Sequence, residues 1–389
     1  MINIQDKTLC CGCYACYNIC PASAINMVED SECFNYPIID IDKCNNCGSC
    51  EKVCPSLNAK NKQTFETITY ACINNDNQIR LDSSSGGIFS LLAEYVISND
   101  GVVFGACFND ELKLVHHNAD NYNDYKKFRG SKYLQSIIGN TYKQAKNVLD
   151  NNKLVLFSGT PCQINGLKLY LKQDYSNLIL IDLICHGVPC LKVFDYYKNE
   201  LESYYKAKVK SINFRRKYKG WSNFSISFIF DNNKEYSQVF SKDLFIKGFL
   251  KNLYLRPSCY NCKYTNLNRF ADITLGDYWG VKTIYPDLDD DKGTSLILIN
   301  SSKGEMYFNL IADKISYRKA NLNHAIAYNS CIVKGVDPHP NREKFFQLFN
   351  NCNNLAELIN DCLVLNKCQR FRYILQSLIS RVKQLYAKI

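Results

Sequence analysis

From residue 65 onward the chain alternates between short apolar runs of strand length and longer segments whose apolar residues recur every three or four positions. TITYACIN, GVVFGACF, LKLVHH, KLVLF, LILIDLI and TSLILIN read as strands, rich in β-branched and aromatic residues and bounded by turns. IFSLLAEYVIS and TYKQAKNVLDN have helical spacing, the first entered through SSSGG. Two strands run directly into helices: KLVLF through Ser158, Gly159 and Thr160 to Pro161, and LILIDLI through Cys185, His186 and Gly187 toward Pro189. Thr160 and Pro161 suit a helix cap and the first helical position. Two successive strand–helix units predict a parallel sheet. YNDYKKFRGSKYLQS reads as a short helix, a turn at Gly130 and a strand. SINFRRK and FSISFIF read as strands on either side of the turn-rich KYKGWSN, with a helix at DLFIKGFL. Residues 301–389 read as helices. The last of them, YILQSLISRVKQLY, is amphipathic, and packing against the body or a partner is favoured over a membrane surface.

The first 57 residues have another texture. Cys10, Cys13, Cys16 and Cys20 are followed by Pro21, and Cys44, Cys47, Cys50 and Cys54 by Pro55, so the string C-x-x-C-x-x-C-x-x-x-C-P occurs twice. Three closely spaced thiolates grip one face of a 4Fe-4S cube, and the fourth, carried onward by a short helix, reaches the other cube. On that pattern Cys10, Cys13, Cys16 and Cys54 hold one cluster, and Cys44, Cys47, Cys50 and Cys20 the other. Zinc and disulfides are the alternatives, but zinc sites use paired C-x-x-C units rather than triplets closed by Cys-Pro. SAINMVED and FNYPIIDID between the runs read as hairpin strands. The expected organisation is an α+β ferredoxin-like two-cluster module over 1–57, a polar linker from 56 to 64, a larger α/β domain over 65–350 and a helical C-terminal tail over 351–389.

Composition narrows the function class. In 389 residues no stretch approaches the roughly 18 consecutive apolar residues of a membrane span. The start MINIQDKTLCC lacks an apolar signal core, so export is not expected. Twenty-one cysteines in so long a chain point to metal in a reducing cytoplasm rather than to a disulfide scaffold. The formal charge of +10 is spread along the chain, which excludes a nucleic-acid stripe but leaves a basic face able to dock an acidic electron carrier such as ferredoxin.

Further chemistry sits in turns next to strands and helices. In residues 83–87 (SSSGG) the glycines allow close backbone approach, and the helix start offers N–H groups to an anion such as the pyrophosphate of a flavin nucleotide. No G-x-G-x-x-G follows a strand, so a conventional dinucleotide fingerprint is absent. Cys162 falls in a first helical turn, Cys185 at a strand end, and Cys259 and Cys262 form a C-x-x-C after Arg256 and Pro257. Together these four suit a third 4Fe-4S cluster. A redox disulfide between Cys259 and Cys262, or buried free thiols, are the alternatives. Cys11, Cys33, Cys72, Cys107, Cys190, Cys331, Cys352, Cys362 and Cys368 lack ligand-like spacing and are expected mostly as small hydrophobes of the core.

SSSGG, RGSKYLQS, LFSGTPCQINGL, LICHGVP and LRPSCYNCKYTNLNRFADITLGDYWG occur in an order that resembles the β-subunit family of coenzyme F-420 (deazaflavin) hydrogenases and dehydrogenases. Similar architecture is found in 7-hydroxymethyl chlorophyll a reductase and ferredoxin-dependent divinyl chlorophyllide reductase. The resemblance implies FAD in the 65–350 domain, with Ser85, Gly86, Gly87, Ser131, Lys132, Gly159 and Thr160 lining its site. It implies Lys132 and Asp277 as catalytic candidates, with Trp279 as a wall. The implied activity is an iron-sulfur flavoenzyme that exchanges electrons with ferredoxin or another carrier and acts on a small organic substrate or a deazaflavin-type coenzyme. A non-catalytic electron-transfer subunit of a larger redox complex is the alternative, and a homo-oligomer is compatible with either.

Overall fold

The protein is described by a computed structural model over residues 2–58 and 65–365. The front segment contains the expected hairpin, Ile25–Glu29 (β1) antiparallel to Asn35–Ile39 (β2), beside the short helices Ala15–Ile19 and Ser49–Lys52. The strands that follow are Ile68–Asn74 (β3), Val102–Phe108 (β4), Leu114–Ala119 (β5), Val155–Gly159 (β6), Leu178–Leu183 (β7), Val209–Arg216 (β8), Ser225–Phe230 (β9), Glu235–Val239 (β10), Ile273–Asp277 (β11), Ser295–Ile299 (β12) and Ile315–Lys319 (β13). Eight form one sheet in the order β13-β3-β12-β11-β7-β6-β4-β5, and β10-β9-β8 form a second.

The large sheet corrects the expectation of a parallel one. Its centre, β11-β7-β6-β4, is parallel, whereas β12, β13 and β5 pair antiparallel with their neighbours. The reason lies in the β11–β12 connection: it makes short helical turns at Val281–Ile284 and Pro286–Leu288 and re-enters the sheet from the edge it left. β12 is buried at every position and β7 at all but its last, which is why both read as unbroken apolar runs rather than alternating ones.

Helices Ile88–Ser98 and Ser302–Asn309 cover one face of this sheet, and Thr141–Asp150 and Pro161–Leu171 the other. The second sheet packs with helices Leu191–Tyr205, Leu244–Leu250, Arg342–Phe349 and Leu355–Leu363 around a core rich in Phe and Tyr.

Two other expectations change. Residues 131–136 form no strand: the Ser131 N–H donates to Ser84 Oγ and the Gln135 amide to the Cys11 carbonyl, and only Ile137 bridges Val115. Residues 301–365 are not all helical, because β13 adds an edge strand along β3. Of the tail, helix Leu355–Leu363 buries Leu355, Leu358, Ile359 and Cys362 in the core. The amphipathic segment at 373–386, Cys368 and most of the linker lie outside the described residues.

The front segment is built into the body. Tyr14, Ala15 and Val53 share a core with helices Thr141–Asp150 and Pro161–Leu171, and Phe34 and Tyr36 share the core of the second sheet. Asn18 donates to the Gly139 carbonyl, and Arg342 grips Glu32 through both carboxylate oxygens.

Candidate functional site

The two cysteine runs repeat a backbone as well as a spacing. Gly12 and Asn46, each just before the second cysteine, have φ of 65° and 54°; Tyr14 and Gly48, each just after it, have 63° and 69°. Left-handed residues at the same two positions coil each triplet into the same turn. One cavity is lined by Cys10, Cys13, Cys16 and Cys54, so the second run's last cysteine stands with the first run's triplet. Cys20 and Cys50 pack beside Cys16 and Cys54 and accept N–H bonds on sulfur from Ala24 and Ile2, both at 3.3 Å. The two sites differ in depth: Cys10, Cys13, Cys16 and Cys54 are buried, while Cys44 and Cys50 are half-buried and Cys47 is exposed. Burial pushes the Cys54 thiol up to about 11, so a thiolate there needs a cation to replace its proton.

A second cavity brings together Cys162, Cys185, Cys259 and Cys262 from separated stretches of the chain. Thr160 caps helix Pro161–Leu171 in a capping box with Gln163, which sets Cys162 in its first turn. Cys185 lies two residues beyond β7, and Cys259 sits in the short helix Pro257–Tyr260 with Cys262 just after it. Cys11 and Cys331 line the same cavity; Cys11 is also buried in the core as expected, whereas Cys331 is half-buried and belongs to no core cluster. Cys11 Sγ lies 3.9 Å from the Tyr264 hydroxyl, and Cys331 Sγ 4.0 Å from His186 Nδ1. Spacing gave no hint of either. Cys72, Cys107, Cys190 and Cys362 are core residues as expected. Among the described residues no three His, Cys, Asp or Glu side chains converge as a single bound ion requires; the thiols line cavities instead.

β3, β4, β6, β7 and β11 all run the same way, so their carboxyl ends share one edge, where α/β folds place ligands. The residues proposed for FAD fall into two groups along it. Residues 83–87 and 131–132 touch through Ser84 and Ser131, whereas Thr160 lines the cysteine cavity and Gly159 lies beside Gln163 and His116. Both glycines of the serine loop also serve the fold. A Cβ on Gly86 would collide with the Cys72 carbonyl, and Gly87 holds φ +83° as it starts helix Ile88–Ser98. Ser85 Oγ donates to the Thr294 carbonyl. Lys132 Nζ donates to the carbonyls of Lys127 and Arg129, and burial lowers its ammonium to about 7.

Asp277 ends β11 with its carboxylate fully engaged. Arg215 donates to both oxygens, at 2.9 and 3.2 Å, and Trp221 Nε1 to one of them at 2.8 Å. The Arg215 guanidinium lies over Phe224 and also bonds the Tyr133 hydroxyl, while Trp279 stacks on Trp221 with centroids 4.7 Å apart. Of this cluster the sequence singled out Asp277 and Trp279 but not Arg215, Trp221 or Tyr133; the pair Arg215-Arg216 at the end of β8 was the available signal.

His116, on β5, is buried between Ser136 Oγ and the Ser158 carbonyl, and burial lowers its imidazole to about 4. Between pH 6.5 and about 4 the unfolded chain binds a proton that the native chain refuses, so stability falls as pH falls through that window. The full loss attributable to His116 is expected to be about 3 kcal/mol. Denaturation midpoints at pH 7 and pH 5 should differ less in His116→Gln than in the wild type; equal differences would remove His116 as the cause.

Residues 152–323 match the family described as the C terminus of the coenzyme F420 hydrogenase/dehydrogenase beta subunit, and residues 9–58 match the 4Fe-4S dicluster domain. The resemblance read from the motifs therefore holds over both segments. No curated protein matches the chain. Among solved structures, a chain of the xenon-derivatised F420-reducing [NiFe] hydrogenase complex from Methanosarcina barkeri is similar over 75% of this chain and 94% of its own, with 16% identity and a TM-score of 0.47. The chain is an iron-sulfur redox protein, and among the described residues no helix is long and apolar enough to cross a membrane.

Proposed function

We propose, with a 4Fe-4S dicluster domain and a beta-subunit-type domain in one chain as the premise, that this protein is an iron-sulfur flavoprotein oxidoreductase acting on a small organic substrate or a deazaflavin-type coenzyme. The eight front cysteines would hold two cubes, Cys162, Cys185, Cys259 and Cys262 a third, and the carboxyl edge of the large sheet would hold FAD. The observation that carries the reading is the meeting of those four cysteines in a cavity that also touches the front run through Cys11. Bound cubes supply single electrons, and a flavin exchanges them in pairs as a hydride equivalent.

The protein's own residues position and insulate. Four inter-strand steps of about 4.8 Å separate the ends of β3 and β6, roughly 19 Å in all. Ser85, Gly86, Gly87, Ser131 and Lys132 at one end of that span and Gly159 and Thr160 at the other would hold the FAD. Lys132, with a lowered ammonium held by two carbonyls, can give or take a proton or offset negative charge near neutral pH. Asp277, accepting three hydrogen bonds, would hold Arg215 and Trp221 in place rather than transfer protons. Exposed Cys47 marks the face at which a ferredoxin-type carrier would approach.

The test uses the purified full chain, loaded without oxygen. Reduced ferredoxin should bleach its bound flavin, and a small organic acceptor or a deazaflavin should restore the colour with no second protein present. A cluster-replete preparation that binds no FAD would end the flavoprotein reading. The family description names a beta subunit, which favours an electron-transfer subunit as the second reading. Colour that returns only when a partner protein is added would select it.

A further inference from the structure

Among the described residues four arginines are buried, and three have a carboxylate: Arg80 pairs with Asp290, Arg215 with Asp277 and Arg269 with Asp182. The fourth, Arg256, is 1% exposed and reaches no carboxylate among the described residues. Its Nε donates to the Cys10 carbonyl at 2.8 Å, Nη1 to Gln135 Oε1 at 3.2 Å, and Nη2 to the Asn35 carbonyl at 2.8 Å and to Cys10 Sγ at 3.7 Å. The guanidinium lies over the Tyr36 ring at 4.4 Å. Neutral carbonyls and a ring solvate a cation but leave its charge uncompensated, and a guanidinium cannot shed its proton. The same residue's carbonyl accepts the Cys259 N–H at 2.9 Å, so its backbone holds the C-x-x-C turn while its side chain touches the first cysteine run. Gly12 makes room for it: a Cβ there would stand 2.9 Å from Nη1.

Resting on the function proposed above, we infer that Arg256 takes as its counter-charge the cluster held by Cys10, Cys13, Cys16 and Cys54, and that it raises the reduction potential of that cluster. Reduction adds one negative charge to a cube. A cation that donates N–H to a ligating sulfur in a dry site favours the reduced form, since net charge and hydrogen bonds to sulfur both set cluster potentials. Arg256 is thus a positioning and tuning residue, and it bears on the deep cluster rather than on the one at exposed Cys47.

Two variants test this in the full chain, with each cluster's midpoint potential read by redox titration followed by electron paramagnetic resonance. The deep cluster is identified as the signal lost in Cys13→Ala. Arg256→Met removes the charge. Arg256→Gln removes the charge but keeps a shorter amide N–H donor toward the Cys10 and Asn35 acceptors, so it decides the matter where Arg256→Met does not load. Both should shift the deep cluster's midpoint to lower potential and leave the outer cluster's in place. An unmoved deep midpoint in either cluster-replete variant overturns the role of Arg256. Absence of iron from the wild-type site overturns the proposed function instead, and iron analysis made first separates the two failures.

Discussion

Full-length protein loaded with iron and sulfide without oxygen is expected to hold about twelve iron atoms per chain, and Cys185→Ala or Cys259→Ala about eight. Cys162 and Cys185 come after the parallel strands β6 and β7, and Cys259 and Cys262 lie in and just after one short helix, yet all four line a common cavity, an arrangement that free thiols of the core would not need. Cys11→Ala and Cys331→Ala serve as controls, because these thiols line the same cavity outside the proposed ligand set. They should keep about twelve. If Cys331→Ala falls to eight while Cys162→Ala does not, the ligand set changes and the cluster stays; if no substitution in the cavity lowers iron, the third cluster is wrong. Because Cys11 of the front segment completes the cavity wall, the experiment belongs in the whole chain rather than in a truncated body.

The second large effect is expected at Asp277. Its carboxylate is the partner of Arg215, whose side chain is only 3% exposed. Asp277→Ala leaves that buried cation without a carboxylate, which should cost about 3–5 kcal/mol. Replacing both residues, as Arg215→Met with Asp277→Leu, removes the stranded charge and should recover most of the loss, a non-additivity that equilibrium denaturation of the single and double variants would reveal. A single variant that unfolds with the wild type would mean the pair is no clamp. Turnover by the double variant separates roles: a folded, flavin-bound and inactive protein would return Asp277 to the chemistry.

The readable parts of the chain were those in which local chemistry decides the outcome. Cysteine spacing placed the last cysteine of one run against the triplet of the other, and the Thr160-Pro161 start of a helix was visible because cap and proline act within one turn. β13 was not visible: of its five residues only Ile315 is buried, so an edge strand left no alternating pattern. Nor was β11, short and ending in Gly276 and Asp277, whose strand character comes from neighbours on both sides. Arg256 stood in the sequence only as a residue preceding the C-x-x-C, because its side-chain contacts lie 121 to 246 positions away in the chain. Cys11 and Cys331 were missed for the same reason: only the folded chain brings them to the other thiols.

The long reach between the front run and its walls also has a bearing on synthesis. Tyr264, which closes over Cys11, follows it by 253 residues. At about 5–20 residues per second the ribosome needs on the order of tens of seconds to deliver that wall. Through that interval Cys11 has neither Tyr264 nor the C-x-x-C beside it. The cavity shared by Cys11, Cys162, Cys185, Cys259 and Cys262 is therefore without its full wall until the chain has been made through Gly335, whereas the cavity of Cys10, Cys13, Cys16 and Cys54 is lined by residues 2–56 alone.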